Sequence, residues 1–448
     1  MGGNYNIEKK FSARYYSEKF QEKYEIKYDS TNRIWLYNTK NGLWEHKSDN
    51  DLDSTLRKEI LDANHISIHY AREVINDIKG LTRTNSGFNT AEPTLIPFED
   101  KIYDLEKSRF CDYSQDYFFR TKLPVKIDTN NKRCPKIDKF FKDLVGEDKK
   151  QILYELCAYC LYRGYPAQYF FFLYGTGQNG KSTFVNLLVR LLGKNNVSGV
   201  DLRSFQNNRF AKALLFEKLL NVSREVDEST IRETSVLKEL TGGDLITAEE
   251  KFKTPFSFTN HAKILIQANS IPATADKTDA FYRRDYIIEF PNQFKRGENA
   301  IPDFIDTIPQ RELEGFAYKL LKVLKKLCRN NFNFSCQPSI EEIEKQHERL
   351  SNPLDVFLKK HVKACGDCYI TVREFKSKFL KFQRAKGYQL WTSQKLNSEM
   401  ETEGYVRISK SLRQINGQYT STRVWDGLMW KINNTDLNRE IKNLECKI

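Results

Sequence analysis

No stretch of these 448 residues is apolar and uncharged over the length of a membrane span, and the mean hydropathy is −0.63. A bilayer-crossing helix needs about 20 such residues, so a membrane span is not expected. The first residues, Met1 to Lys10, hold no apolar centre of the kind a secretion signal requires. The sixth position is Asn6, not the Ser or Thr of a myristoylation signal. Cysteine is sparse for a disulfide scaffold: nine residues, an odd number, scattered among long elements. Reduced thiols and a cytoplasmic setting are therefore expected. Histidine is scarcer still, with six. His65 and His69 are four apart, but no carboxylate sits at the spacing a zinc protease uses, so packing or surface roles are expected. Cys157 and Cys160 fall in an apolar helical pattern and read as buried packing. Cys365-Gly366-Asp367-Cys368, with His361 nearby, has a metal-type spacing but no second pair to complete the usual four zinc ligands. Neither an internal repeat nor a long low-complexity segment is present.

Basic charge, in contrast, is in surplus. The formal net charge is +13, which suits a polyanionic partner. Residues 351–448 hold 18 Lys and Arg against 10 Asp and Glu, so more than half the excess lies in the last fifth of the chain. That distribution favours a localised nucleic-acid surface over an evenly solvated one.

The most specific stretch is 169–192. Tyr169 to Tyr174 is an apolar run that reads as a buried strand. Gly175-Thr176-Gly177-Gln178-Asn179-Gly180-Lys181-Ser182 then completes the pattern G-x-x-x-x-G-K-[ST], followed by Thr183. Apolar residues return at helical spacing at Phe184, Leu187, Leu188, Leu191 and Leu192. Strand, glycine-rich loop and helix come in the order a P-loop requires. The glycines let the backbone fold tightly and turn its N–H groups towards phosphate oxygens. The helix N-terminus favours an anion. Lys181 can reach the β- and γ-phosphates, and the Ser182 hydroxyl can ligate magnesium.

Nucleotide hydrolysis needs more than this loop. Leu219 to Glu225 is an apolar strand ending in a carboxylate. Glu225 is the candidate for polarising water or holding the metal's water shell, with Asp227 as second choice. Lys263 to Asn269 is another apolar strand, and its terminal amide can sense the γ-phosphate or the lytic water. Arg283 and Arg284 open a further strand, where they serve either as solvated charge or as arginine fingers. Between the acidic and amide strands, two extended pieces flank Lys251-Phe252-Lys253. A hairpin with a basic, aromatic tip can contact phosphates and stack on a base.

The remaining chain divides by pattern. Residues 1–134 read as an α+β unit, with strands around a turn at Asn41-Gly42 and one helix over 53–79. Residues 135–165 are helical and lead into the nucleotide-binding unit, 166–330. Residues 331–349 form a linker and a charged helix with a capping-type start at Ser339. Residues 350–432 give three helices and a β-hairpin, the pattern of a winged helix, and 433–448 a charged tail.

Taken together, the motifs resemble a superfamily 3 helicase. They are most similar to the phage and plasmid primase–helicase branch, which includes the poxvirus primase–helicase. Leu173 to Thr183 and Leu237-Lys238-Glu239-Leu240-Thr241-Gly242-Gly243-Asp244 carry the resemblance, which runs from about residue 95 to about residue 430. It implies a multidomain α/β chain built on an AAA+-like P-loop ATPase. ATP and magnesium are the implied cofactors, in a homo-oligomeric ring, usually a hexamer, that pulls single-stranded DNA. By position, Lys181 and Ser182 bind ATP and magnesium, Glu225 takes the acidic role and Asn269 the sensor role. Arg284, with Arg283, takes the finger role, and Lys251 and Lys253 the channel-hairpin role. Relatives often carry two adjacent acids where this chain has Arg224-Glu225, which leaves the division of work between Glu225 and Asp227 open. The first 95 residues are too short for the primase domain of many relatives, so no primer synthesis is expected and a separate primase or replication partner is implied. The expected activity is replicative unwinding for a virus, plasmid or mobile element. The alternatives are an origin-binding initiator that melts duplex DNA, and a non-catalytic DNA-binding scaffold.

Overall fold

The structure is a computed structural model. It describes residues 11–431 apart from 30, 85–90, 225–233, 253, 273, 275, 387, 389 and 414–418. Glu225, Asp227, Lys253, the turn at Asn416-Gly417 and the tail therefore lie outside the described residues.

Five parallel strands form the centre: Phe170–Tyr174, Val197–Ser198, Leu220–Arg224, Lys263–Ala268 and Asp285–Glu289. Numbered by their place in the chain, they lie side by side as 5-1-4-3-2. Parallel strands need crossovers, and helices cover both faces, so every position of Phe170–Tyr174 is buried. Alternation sorts its side chains. Phe171 and Leu173 join the core under helices Pro135–Val145, Lys150–Leu161, Lys181–Leu192 and Gln310–Arg329. Phe170, Phe172 and Tyr174 join the opposite core. Burying one such aromatic contributes about 1.5–3 kcal/mol, which is why an all-apolar strand belongs at the middle of the sheet. Cys157 and Cys160 are buried in the core of Phe171 and Leu173, as their helical pattern suggested.

The N-terminal unit packs helices Ala13–Lys23, Asp49–Glu59 and Ile68–Leu81 on a meander of Ile26–Tyr28, Ile34–Asn38 and Leu43–Lys47. The single helix expected over 53–79 is thus two. Ser67 explains the break: its side chain accepts from the Tyr70 N–H and restarts the helix, a cap that an apolar count passes over. His65 falls in the intervening turn beside the Tyr16 hydroxyl at 2.9 Å, and His69 pairs with Glu73 on the surface.

Residues 331–338 lack helix or strand, as a linker should, yet they are tied down. Phe332 and Phe334 are buried against Tyr159 and Phe334 against Phe171, so the segment straps the central core. Helix Ile340–Ser351 opens with a capping box between Ser339 and Glu342. Its His347 bridges Asp285 Oδ2 at 2.7 Å and the Pro272 carbonyl at 3.1 Å. After it come helices Pro353–His361, Val372–Lys386 and Ser393–Thr402. The antiparallel sheet that goes with them is ordered Val362–Thr371, Tyr419–Trp430, Arg407–Arg413, its first strand lying between the first two of these helices. Its core, around Phe357, Phe375 and Trp425, runs on into the core beneath the central sheet. Cys365 and Cys368 are joined by a disulfide within a register break of the first strand, against the expectation of reduced thiols. Cys157 and Cys160 share their spacing, so only the polar setting of Cys365-Gly366-Asp367-Cys368 set this pair apart, and the register break lies where its strand pairs with Tyr419–Trp430. Among the described residues no helix is long and apolar enough to cross a membrane.

Candidate functional site

The carboxyl ends of the central strands bring the P-loop residues and Asn269 together. Tyr174 leads into Gly175, whose N–H donates to the Ala268 carbonyl at 3.2 Å. The end of the amide strand is therefore held against the start of the loop. The loop itself needs its glycines. Gly177 and Gly180 have φ of +110° and +77°, and a Cβ on Gly180 would come within 2.5 Å of Leu144. Gln178, also left-handed, is fixed by its carbonyl, which accepts from the Phe294 N–H at 2.7 Å. Asn179 is buried and works as a brace. Its Oδ1 accepts from the Gly177 N–H at 2.6 Å and its Nδ2 donates to the Asn292 carbonyl at 2.8 Å. Thr176 Oγ1 accepts from Gln293 Nε2 at 3.3 Å.

Helix Lys181–Leu192 starts directly at Gly180, so the first two helical side chains stand at the loop mouth. Lys181 Nζ donates to Asn269 Oδ1 at 3.0 Å and to the Gly175 carbonyl. Both partners are neutral, and burial brings its ammonium down from the usual lysine value to about 8. Ser182 Oγ, on the exposed side, donates to Gln267 Oε1 at 3.1 Å. Thr183 follows, half-buried. The amide strand thus supplies two side chains, Gln267 and Asn269. Gln267 is opposite both Leu173 and Arg224 in register, which places it between the P-loop strand and the strand leading to Glu225. Only Asn269 was expected from the sequence. Gln267 was detectable as the polar residue two positions earlier, on the same side of an otherwise apolar strand.

The donors fit the implied cofactors. Gly177, Gln178 and Gly180 all have positive φ just before a helix N-terminus, a tight loop of the kind that suits a polyphosphate. An exposed hydroxyl beside an amide oxygen suits magnesium, which takes few protein ligands and keeps water and phosphate oxygens.

Arg283 and Arg284 lie elsewhere. Both precede strand Asp285–Glu289, whose first residue pairs with Phe170, and the Arg284 carbonyl accepts from the Phe170 N–H at 2.9 Å. They stand at the amino edge of the sheet, one strand length from Gly175, about 17 Å at about 3.3 Å per residue. Arg283 is exposed and donates to Gln168 Oε1 at 2.7 Å. Arg284 is largely buried and donates to the Ala280 carbonyl at 2.7 Å. Burial, and then Arg283, lower its pKa, and Asp244 opposes them.

The expected hairpin is present. Leu245–Ala248 pairs with Phe256–Thr259, and Phe252 at the tip is 95% exposed with φ of +64°. Lys251 Nζ lies 5.0 Å from the centre of the Phe252 ring. A bare aromatic carrying a cation suits a stacking contact with a base and its phosphate. The N-terminal unit reaches this hairpin, since Arg33 pairs with Glu250 and lies 4.5 Å from the Phe256 ring.

Comparison with known proteins gives the geometry a relation. Residues 9–146 match a family described as D5 N terminal like, and residues 173–284 match a family of unknown function, DUF5906. The resemblance to the D5-type primase–helicases is borne out. It begins further upstream than the motifs indicated, near residue 9 rather than 95. A protein of Acanthamoeba polyphaga mimivirus named as a "Putative helicase" is 26% identical over 258 residues, 52% of this chain. The match spans 27% of that protein, so the matched half of this chain covers about a quarter of its length. Among solved structures, the C-terminal region of NrS-1 superposes with a TM-score of 0.52 at 15% identity. That match covers 93% of this chain and 99% of the other, a likeness of fold. A further structure of the NrS-1 region gives 0.48 over 94% of this chain and all of the other. The D5-type N-terminal unit is the one whose Arg33 reaches the hairpin.

Proposed function

We propose that the chain is an ATP-dependent DNA helicase of the D5 type, acting in replication of a virus, plasmid or mobile element. It moves on single-stranded DNA as a ring of its own copies, in the manner of an AAA+-like, superfamily 3 motor. The observation that carries this reading is the joining, in one core, of a braced P-loop with two amide side chains and a hairpin that bares Phe252 beside Lys251. The strand order 5-1-4-3-2 supports it.

When bound, ATP and magnesium supply the phosphoryl transfer. Lys181, Ser182 and the loop N–H groups hold the phosphates and the metal, and Asn269 and Gln267 orient Lys181 and Ser182. Glu225 is proposed to draw a proton from water, with Asp227 as the alternative. Arg283 and Arg284 stand too far from their own P-loop to touch its phosphates and are proposed to serve a neighbour's. Lys251, Phe252 and Lys253 hold single-stranded DNA. The test of this site is ATP turnover, which single-stranded DNA should stimulate. A scaffold without catalysis would show no turnover.

Residues 350–432 are proposed to be a winged helix that binds double-stranded DNA. Arg373, Lys381 and Arg384 are exposed along one side of helix Val372–Lys386. Changing all three to Ala in the full chain should weaken duplex binding at low salt and flatten its salt dependence by up to about 0.9 log unit per lost phosphate contact. An unchanged salt slope would assign this unit to protein contacts instead. The same basic surface favours the second reading, an initiator that melts its origin without processive unwinding.

A further inference from the structure

Gln168 stands immediately before the P-loop strand and holds a left-handed backbone, φ +56°, which is uncommon for a residue with a side chain. Its amide is engaged at both ends. Oε1 accepts from Arg283 Nη1 at 2.7 Å, and Nε2 donates to the Gly242 carbonyl at 3.0 Å. Only one orientation of the amide satisfies both partners, because a guanidinium only donates and a carbonyl only accepts. Gly242 is the last residue of helix Ser235–Gly242, and Leu245, three residues on, opens the DNA hairpin. Between them Gly243 turns the chain in a left-handed conformation, and Asp244 faces Arg284 electrostatically. Arg283 is therefore joined to the hairpin root through Gln168, and the adjacent Arg284 feels the charge of Asp244 in the same turn.

We propose that Gln168 is a positioning residue that couples the arginine pair to the hairpin, so that engagement of a neighbour's nucleotide shifts the grip on single-stranded DNA. This rests on the function proposed above. An amide suits the task because a change in how Arg283 is held is passed directly to Gly242. The Lys251–Phe252 tip follows in the turn just beyond the end of strand Leu245–Ala248. By linkage, the coupling is reciprocal: nucleotide changes the DNA affinity by the factor that DNA changes the nucleotide affinity.

The experiment measures single-stranded DNA affinity of the full chain with and without a non-hydrolysable ATP analogue, and takes the ratio. Gln168→Glu keeps an acceptor for Arg283 and loses the donor to Gly242. Gln168→Asn tolerates the left-handed backbone but is one methylene too short to span both partners, and it serves if Gln168→Glu does not fold. Either variant should reduce the ratio at least about fivefold towards one, the lower end of typical coupling. A purely structural role would move the melting temperature or both affinities together and leave the ratio alone. The Lys251→Ala, Phe252→Ala double variant is run alongside. If it has lost DNA binding while the Gln168 variants keep the wild-type ratio, the coupling role is overturned and the hairpin reading stands. If the double variant binds DNA as wild type does, the hairpin reading fails and the coupling proposal falls with it.

Discussion

Lys181→Ala should lower ATP hydrolysis by at least about 100-fold, the usual cost of removing a charge-stabilising group from a preorganised site. The fold should survive, because Lys181 Nζ bonds only to the neutral oxygens of Asn269 and Gly175 and leaves no charge unpaired. Turnover and thermal melting, measured together, check both halves. Wild-type turnover in a folded variant would remove the P-loop assignment. The wild-type protein offers a second reading of the same residue. Burial places the Lys181 ammonium at about 8, and a phosphate favours its charged form. Below pH 8 the lysine is already protonated and binding needs no proton. As pH rises above 8, binding must take one up, so ATP affinity should fall. The γ-phosphate, with a second ionisation near pH 6, is fully ionised throughout that range. A flat affinity between pH 8 and 10 would show that Lys181 does not meet the phosphate.

The second large effect is expected from mixing two inactive proteins. Arg284→Ala and Lys181→Ala subunits should each be inactive alone. The register of Asp285–Glu289 against Phe170–Tyr174 keeps Arg283 and Arg284 at the amino edge of the sheet, away from their own P-loop. In a head-to-tail ring each arginine pair would face the next subunit's nucleotide. Random mixing would give about a quarter of interfaces an intact loop and an intact arginine, and ATP hydrolysis should return in proportion. No recovery in demonstrated mixed rings would confine Arg284 to its own subunit or to a structural role. Recovery with Arg284→Ala lost but Arg283→Ala gained would assign the contact to Arg283, the more exposed of the two.

What could be read from the sequence was what is local in the chain. The P-loop, the strand to Asn269, the hairpin around Lys251 and the helix opening at Ser339 each depend on residues within about fifteen positions of one another. What could not be read depends on which strands are neighbours. Gln267 matters because its strand lies between those of the P-loop and of Arg224, and Gln168 because it stands between Arg283 and Gly242. Neither fact is written in spacing. Phe332 and Phe334 looked like part of a linker because Asn and Ser surround them, yet the central core claims their rings. The break after Asp49–Glu59 had a visible cause in Ser67, which the apolar periodicity outweighed.

The central claim is that ATP hydrolysis at this P-loop drives the hairpins along single-stranded DNA. The most direct measurement is strand separation on a forked duplex much longer than one binding site, with hydrolysable ATP. The account predicts that the wild-type protein separates the strands, and that Lys181→Ala and the Lys251→Ala, Phe252→Ala double variant do not. Separation confined to the first few base pairs, and unchanged when a non-hydrolysable analogue replaces ATP, would contradict it and identify a melting factor instead.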